Sequence, residues 1–273
     1  MKENKINPFC FIHIEKAAGT TLHHWLGNNF RGYYTLKPGR YRDCTKAYFT
    51  DSEFRIWKML CPFFIGFGGH STRHFAEYDK SLTYITFLRD PVSRYLSHFA
   101  YQRDAMGINW TIEGFMQEEK FNDFMTKRIS PSGCADMAIE ELKNKYSFVG
   151  LTEYFNESLL MLTKLIFQKQ TVPLYERRNE ARQKTIVKFE ELPENIKHKI
   201  FENNKNDIIV YNYVKNNIFE LQKSLYGKQL DKDLVDMEES LKEYKYSFLK
   251  QLFFILRNKY SNIVVEPIAK KAH

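Results

Sequence analysis

The chain has 273 residues, of which 43% are hydrophobic and 16% aromatic, a composition typical of a globular protein that excludes general disorder. Its formal net charge of +8 indicates an anionic partner: a nucleotide, an acidic polysaccharide, a nucleic acid or a membrane surface. No apolar run reaches the roughly eighteen residues of a membrane span, and the first ten residues are not expected to be a signal peptide. The four cysteines lack metal-type spacing and are expected to be free thiols.

The segment from Phe9 to Phe30 predicts a strand, a loop and a helix in direct succession. Its first residues, FCFIHI, form a nearly continuous apolar run, which is typical of a parallel strand buried on both faces. Small residues let backbone N–H groups approach an anion, and a helix N-terminus carries partial positive charge, so the loop is predicted to bind phosphate. The candidate anion-binding residues of the loop and the helix start are Lys16, Ala17, Ala18, Gly19, Thr20 and Thr21.

The order of residues in this loop differs from that of a nucleotide-triphosphate P-loop. In a P-loop the lysine follows the last glycine and precedes a hydroxyl residue that holds Mg²⁺, whereas here Lys16 comes before Gly19. The order K-x-x-G-T-T resembles instead the 5′-phosphosulfate loop of sulfotransferases, which use 3′-phosphoadenosine 5′-phosphosulfate (PAPS). The simpler alternative is a strand–helix turn that only needs a glycine.

A histidine follows the second predicted strand, which covers residues 63–67. Gly68 and Gly69 are expected to let the chain turn sharply after that strand, and His70 comes next. Because ligands bind outside the carboxyl ends of parallel strands, His70 is expected at the same sheet edge as Lys16.

An arginine follows the third predicted strand, residues 82–88, and a helix is predicted to begin directly after it. Asp90 suits the N-cap and Pro91 the first turn of that helix, and Ser97 falls two helical turns after Arg89. The pattern R-D-P-x-x-R-x-x-S-x-F resembles the 3′-phosphate-binding motif of sulfotransferases, in which the arginine and the serine eight residues on hold the 3′-phosphate of PAPS. A guanidinium suits this task because it offers two donors in a fixed fork. The alternative is that Arg89 pairs with a nearby carboxylate and that Ser97 is an ordinary helix residue.

Further motifs narrow the resemblance to carbohydrate sulfotransferases. H-I-E-K-A-A-G-T-T-L resembles the Golgi glycosaminoglycan enzymes and their bacterial relatives, and YSFVGLTEYF at residues 146–155 resembles a strand of the heparan sulfate 2-O-sulfotransferase group. Gly69 and His70 resemble the G-H segment of that group, in which the histidine is the catalytic base. The resemblance covers about residues 9–225, and no Golgi membrane anchor is recognisable, which favours a soluble, cytoplasmic enzyme of bacterial type.

The resemblance implies a fold, a donor and roles for residues. The fold would be α/β, a P-loop-like three-layer α/β/α arrangement with a central parallel sheet and additional C-terminal helices. PAPS would be the donor and PAP the product, no metal would be needed, and the acceptor would be a carbohydrate hydroxyl, acidic or neutral, rather than nucleic acid. His70 would be the catalytic base, with His74 as its rival, and Lys16 would stabilise charge on the leaving 5′-phosphate. Glu15 and Glu77 are the carboxylates to consider if neither histidine acts.

A basic stretch covers residues 176–188. The resemblance implies that a basic loop at about this place contacts the 3′-phosphate of PAPS, and Arg182 and Lys184 are the candidates for that contact. The alternative is a solvated basic face, since no fixed motif anchors these residues.

The sulfotransferase domain is predicted to span residues 1–227 and a C-terminal helical extension residues 228–273. The extension contains a heptad-like series of apolar residues that leads into LFFILRNKY. Three interpretations compete: a helix folded back on the domain, a helix that forms a homodimer, or a peripheral membrane contact through residues 252–256 flanked by basic residues. The first two are favoured.

The remaining segments give coarser predictions. Residues 32–54 are predicted to be irregular, with a helix at 54–61, and residues 102–136 to form one or two helices without a chemical signature. A strand at 148–152 followed by a helix at 156–168 completes the predicted sheet.

Two other functions stay open on the sequence alone. A kinase or other nucleotide hydrolase predicts Mg²⁺ dependence, but the Gly-Lys-Ser/Thr order is missing. A non-catalytic protein that binds polyanions predicts affinity without turnover of PAPS.

Overall fold

Five parallel strands form one sheet at the centre of the described chain. The structure, a computed structural model, describes residues 7–36, 51–70, 72, 82–176 and 187–270. The strands are β1 (Phe9–Ile12), β2 (Tyr33–Thr35), β3 (Gly66–Gly69), β4 (Thr83–Leu88) and β5 (Phe148–Leu151). Their order across the sheet is β2-β3-β1-β4-β5. From β1 the chain goes to the outer strand β2, returns to β3 beside β1, and then crosses to β4 and β5 on the other side, which creates a topological switch point beside β1.

The carboxyl ends of the three central strands lie at one edge of the sheet, where β4 extends two residues beyond β1 and β3. Ile12 at the end of β1 pairs with Gly69 on one side and with Thr86 on the other. The Thr86 hydroxyl donates to the Ile12 carbonyl at 2.8 Å and adds a side-chain bond to the ladder. As a result, the loops after β1, β3 and β4 leave the sheet at one edge, as the sequence predicted.

Helices cover both faces of the sheet, and every residue of β1 is buried. The helices are α1 (Gly19–Asn29), α2 (Asp51–Leu60), α3 (Pro91–Asp104), α4 (Ile112–Met116), α5 (Phe124–Ile129), α6 (Ala135–Lys145), α7 (Phe155–Met161), α8 (Glu194–Asn203), α9 (Lys205–Tyr213), α10 (Glu220–Tyr226), α11 (Leu230–Leu241), α12 (Phe248–Tyr260) and α13 (Glu266–Lys270). Wider π-helical turns continue α7, α9 and α12 at Leu162–Ile166, Val214–Phe219 and Ser261–Val265. The fold is the predicted three-layer α/β/α arrangement with a central parallel sheet and C-terminal helices.

Helix α3 begins where its sequence predicts. Asp90 caps it by accepting the backbone N–H of Ser93 at 2.8 Å, and Pro91 is its first residue. The cap fixes the direction in which α3 leaves β4, and with it the place of the residues along the helix.

Strand β2 corrects the prediction that residues 32–54 are irregular throughout. It has only three residues, and they pair in parallel with β3. Tyr33 is buried and its ring stacks on Phe9 of the central strand at a centroid distance of 5.6 Å. Long-range aromatic packing therefore stabilises a strand that is too short to leave a pattern in the sequence. Helix α2 also begins at Asp51, inside the segment predicted to be irregular.

The glycines before His70 correct a second prediction. Gly68 and Gly69 do not turn the chain after a strand but belong to β3 itself. A Cβ on Gly68 would lie 2.6 Å from the Tyr33 hydroxyl and 2.8 Å from Phe11 Cβ. Glycine is required here because neighbouring chains approach closely, not because the backbone needs an unusual φ.

Gly68→Ala is expected to lower the free energy of unfolding by about 1–3 kcal/mol, because the new methyl group overpacks the sheet. Gly114→Ala is the matched control, since a Cβ there would meet nothing closer than 3.4 Å. It should not lower stability and is expected to raise it by up to about 1 kcal/mol, since alanine is the better helix former. Denaturant unfolding of the two variants measures the difference, and equal stability of both would contradict the packing argument.

The C-terminal helices pack against the sheet domain. The ring of Phe254 on α12 occupies the place where a Cβ on Gly27 of α1 would be, 2.2 Å from two of its ring carbons. Arg257 donates to the carbonyl of Gly27 at 2.6 Å and to that of Arg31. Helix α12 is therefore folded back on the domain, whereas the division of the chain at residue 227 stays a prediction.

Candidate active site at the carboxyl edge of the sheet

The loop after β1 has a backbone of alternating handedness. Lys16 and Ala18 have φ of 69° and 55°, in the left-handed region that non-glycine residues seldom adopt, whereas Ala17 between them does not. Successive residues of opposite handedness point their N–H groups into one concavity, which is a common site for anions. The loop leads directly into α1, whose N-cap residue, Ala18, makes no side-chain capping bond. The predicted phosphate loop thus has a backbone suited to bind an anion.

The glycine of the loop has a different task from the one expected. Gly19 is the first residue of α1, and its φ is not positive. A Cβ at this position would lie 1.8 Å from His13 Nε2, so glycine leaves room for the His13 ring beneath the start of the helix.

A chain of buried and half-buried side chains runs under the loop from His13. His13 Nδ1 lies 3.1 Å from His23 Nε2, and His23 Nδ1 lies 2.6 Å from the Tyr33 hydroxyl. Burial, supported by the charge of neighbouring groups, holds the pKa of His13 well below its usual value and lowers the pKa of His23 to about 3. Both rings are therefore neutral at physiological pH and add no positive charge under the loop.

Two cations meet beside the loop. Arg89 Nη1 donates to the carbonyl of Lys16 at 3.1 Å, and Lys16 Nζ lies 4.6 Å from the ring centroid of Tyr101. Burial and the charge of Arg89 lower the pKa of Lys16, and burial also lowers the pKa of Arg89. Within the described part of the chain, neither cation forms a salt bridge with a carboxylate. Two partly buried cations of like charge without a salt-bridge partner favour the binding of an anion between or beside them.

The two carboxylates whose charge acts on Arg89, Glu153 and Asp90, are both hydrogen-bonded elsewhere. Asp90 accepts the backbone N–H of Ser93. Glu153 Oε1 accepts the backbone N–H of Asp90, and its Oε2 accepts the Tyr211 hydroxyl, both at 2.9 Å. The alternative in which Arg89 is simply one half of a local ion pair therefore receives no support from the geometry.

Ser97 lies on the side of α3 that faces the loop. It is buried, and it precedes Tyr101 by four residues, so the two side chains share a helix face. Tyr101 contacts Lys16, which places this face towards the loop. No hydrogen bond joins Ser97 to Arg89 among the described residues, and their joint role stays a prediction.

His70 lies at the same edge, directly after β3, and its orientation is fixed. Its Nδ1 is 3.2 Å from Glu15 Oε1 and 3.3 Å from the carbonyl oxygen of His13. Both neighbours can only accept a hydrogen bond. Nδ1 therefore carries the proton, and Nε2 of the neutral ring carries the lone pair. The side chain of His70 is 28% exposed and can reach a ligand.

Arg128 holds this arrangement from beneath. The Arg128 guanidinium donates to the backbone carbonyl of His70 and, at 3.4 Å, to that of Thr72, and its Nε lies 3.9 Å from Glu15 Oε2. Burial alone would raise the pKa of Glu15, but the interactions with His70 and Arg128 outweigh it and hold the pKa at about 2. Glu15 is therefore ionised at neutral pH. Because it is so weak a base, it is better suited to orient His70 than to act as the catalytic base itself.

The second arginine of the R-D-P-x-x-R pattern has a structural place. Arg94 is fully buried, and its Nε lies 4.0 Å from Asp207 Oδ2. Asp207 in turn accepts the backbone N–H groups of Met125 and Thr126 at 3.1 and 2.8 Å. This network fixes α5, the helix that carries Arg128.

Arg128 corrects the prediction that residues 102–136 have no chemical signature. No local motif marks it, because only tertiary packing brings it to His70. The role of Glu15 could have been inferred from the sequence. A carboxylate directly before an anion-binding lysine needs a cation of its own nearby. Tyr101 could also have been found, because it shares a helix face with Ser97.

Several predicted residues lie outside the described part of the chain. They are the rival base His74, the carboxylate Glu77 and the basic-loop candidates Arg182 and Lys184. Their predicted roles stay predictions.

One comparison with known proteins gave a match and another gave none. The model of the sulfotransferase family matches residues 4–214. A search of the curated proteins found no match. The family match covers most of the chain, including the loop after β1, His70 and Arg89. The chain therefore belongs to the sulfotransferase family, as its motifs predicted.

Proposed function

We propose that this sulfotransferase moves a sulfuryl group from PAPS to a hydroxyl of a carbohydrate acceptor, with His70 as the general base. The observation that carries the proposal is the fixed orientation of His70 beside a loop flanked by two cations without salt-bridge partners. A base, an anion-binding loop and a phosphate-binding arginine at one sheet edge are the groups that such a transfer needs.

The residues of the loop edge fit the donor. PAPS, when bound, supplies an activated sulfuryl group whose leaving group is the 5′-phosphate of PAP. The backbone from Ala17 to Thr21 and the Lys16 ammonium would hold the 5′ end and stabilise negative charge there. Arg89 and Ser97 would hold the 3′-phosphate, and Arg182 and Lys184 are proposed to contact the same phosphate.

His70 would accept the proton of the acceptor hydroxyl at Nε2. Glu15 and the His13 carbonyl keep the other nitrogen protonated, so the lone pair needed for this task is on Nε2 of a partly exposed side chain. Arg128 fixes the backbone of His70 and the carboxylate of Glu15 together. The base is thereby positioned before the acceptor arrives, which reduces the reorganisation required during the transfer.

The acceptor is proposed to be a glycan, and the net charge of +8 favours an acidic one. A neutral or lipid-linked sugar is the alternative. Neither a nucleic-acid partner nor a metal is part of the proposal, and the cytoplasmic location of a bacterial enzyme stays a prediction. Turnover of labelled PAPS in a screen of glycans tests the acceptor class.

Arg89→Ala is expected to weaken PAP binding by about 1.5–3 kcal/mol, since it removes a charge-assisted hydrogen bond. It should weaken AMP binding much less, because AMP lacks the 3′-phosphate. Calorimetry with the two nucleotides measures this difference. Arg103→Ala on helix α3 is the control, since that half-exposed side chain is paired with Asp104. Equal affinity of the unmodified protein for PAP and AMP would show that the 3′-phosphate assignment is wrong.

A further inference from the structure

The outer face of the C-terminal helices is apolar and exposed. Helix α12 and its continuation present large apolar side chains to solvent, and Leu249 and Phe253 are 61% and 58% exposed. The other members of this outer face are Phe248, Leu252, Ile255, Leu256, Tyr260, Ile263 and Val264. Contiguous exposed apolar surface of this kind marks an interaction site more often than it marks ordinary surface.

The opposite face of α12 is held by the domain, so the apolar face cannot turn inwards. Phe254 is inserted at Gly27, and Arg257 donates to two backbone carbonyls of the α1 region. The amide oxygen of Asn258 accepts the N–H of Thr35 in β2 at 3.0 Å. These contacts fix the helix with its apolar side outwards.

A second exposed apolar segment adjoins the helix. The Tyr260 hydroxyl donates to the carbonyl of Leu60 at 3.0 Å. Met59 and Phe63, which flank that contact in sequence, are 74% and 83% exposed. We call the outer face of α12 together with Met59 and Phe63 the C-terminal apolar surface.

The chain segments around this surface carry only positive charge. Residues 19–36, 54–65 and 247–265 form it and its supports, and none of the three contains an aspartate or a glutamate; the adjoining Glu53 and Glu266 are buried. Exposed basic residues lie in all three segments, at Arg31, Arg55, Lys58, Lys250 and Lys259. An apolar face bordered by cations, without acidic side chains, matches the chemistry of an anionic lipid surface.

We propose that the C-terminal apolar surface binds the protein peripherally to anionic membranes, independently of the transferase reaction. The apolar side chains would enter the boundary between headgroups and acyl chains, and the basic residues would contact lipid phosphates. A second copy of the chain is a poorer occupant, because a self-complementary contact would bring the same cations together without a carboxylate between them. No helix within the described residues is long and apolar enough to span the bilayer, so the contact would lie in the plane of the surface.

Co-sedimentation of the full chain with lipid vesicles tests the proposal. The chain should bind vesicles of phosphatidylcholine with about one third phosphatidylglycerol at least roughly tenfold more tightly than pure phosphatidylcholine, and the preference should shrink at high salt. Leu249→Glu with Phe253→Glu should weaken binding to the anionic vesicles by about tenfold or more. Lys250→Glu with Lys259→Glu should do the same without changing the apolar area, since each charge contributes about fivefold.

Leu221→Glu with Leu225→Glu on α10 is the matched control. These leucines have the same spacing of four residues and are 60% and 65% exposed. Unchanged vesicle binding by this control and loss by the α12 variants supports the proposal. Absence of anionic vesicle binding by the unmodified chain overturns it. So does a dimer in sedimentation velocity that the α12 variants dissociate, because the occupant would then be a second copy.

Discussion

His70→Ala is expected to bind PAP as the unmodified protein does and to lose sulfuryl transfer by about 10²–10⁴-fold, the usual contribution of a positioned general base. The His70 ring contacts Glu15 and the His13 carbonyl through Nδ1 and packs against the His13 ring at a centroid distance of 3.9 Å. None of these contacts is with Arg89, whose bond is to the Lys16 carbonyl. Initial rates with labelled PAPS, together with calorimetry for PAP, separate loss of chemistry from loss of binding.

The controls distinguish His70 from the other histidines. His198→Ala removes an exposed imidazole on α8 and should leave the rate unchanged. His74→Ala tests the rival base, and a large loss there with normal turnover in His70→Ala would move the assignment. Glu15, with a pKa of about 2, stays ionised far below neutral pH, so the carboxylate that orients His70 keeps its charge across the usual assay range.

Lys16→Ala is expected to lower turnover by about 10²–10³-fold, the cost of removing one preorganised donor at a site of developing charge. The ammonium lies beside the loop and next to Arg89, without a carboxylate partner among the described residues. Its removal takes away charge stabilisation at the leaving group. The melting temperature should change little, because alanine at a left-handed position is no more strained than lysine.

Lys169→Ala is the matched control for Lys16→Ala. Lys169 also lies over an aromatic ring, with Nζ 3.9 Å from the centroid of Phe30, and burial also lowers its pKa. It lies away from the carboxyl edge and should keep normal turnover. Full activity of Lys16→Ala would remove the proposed role of the lysine, and equal losses in both variants would point to a general effect on the fold.

The position of the candidate site at one sheet edge was well predicted from the sequence, because a single rule applies to its three residues. Lys16, His70 and Arg89 each follow a buried strand, and parallel strands end at a common edge. The cap at Asp90 was equally predictable, since an acidic N-cap followed by proline is a strong local signal. Each of these signals lies within one short stretch of the chain: a strand and the residues that follow it, or the start of a helix.

The features that the sequence did not predict depend on distant residues. A glycine needed for a turn and a glycine needed for a close approach look alike in a sequence, and Gly68 and Gly19 proved to be of the second kind. Arg128 reaches His70 only because α5 packs beneath the loop, held by Asp207 and Arg94. The positive φ of Lys16 and Ala18 is likewise imposed by the strand and helix on either side of a short loop.

The two glycines of α1 have a mechanical consequence. Gly19 and Gly27 form notches at opposite ends of the helix, about 12 Å apart at 1.5 Å per residue. The His13 ring occupies one notch and the Phe254 ring the other. A ring packed against each end of α1 opposes rotation of the helix about its axis and sliding along it. The anion-binding end of the helix is therefore a fixed reference point in the molecule, and any closure around bound substrates must come from segments that move towards it.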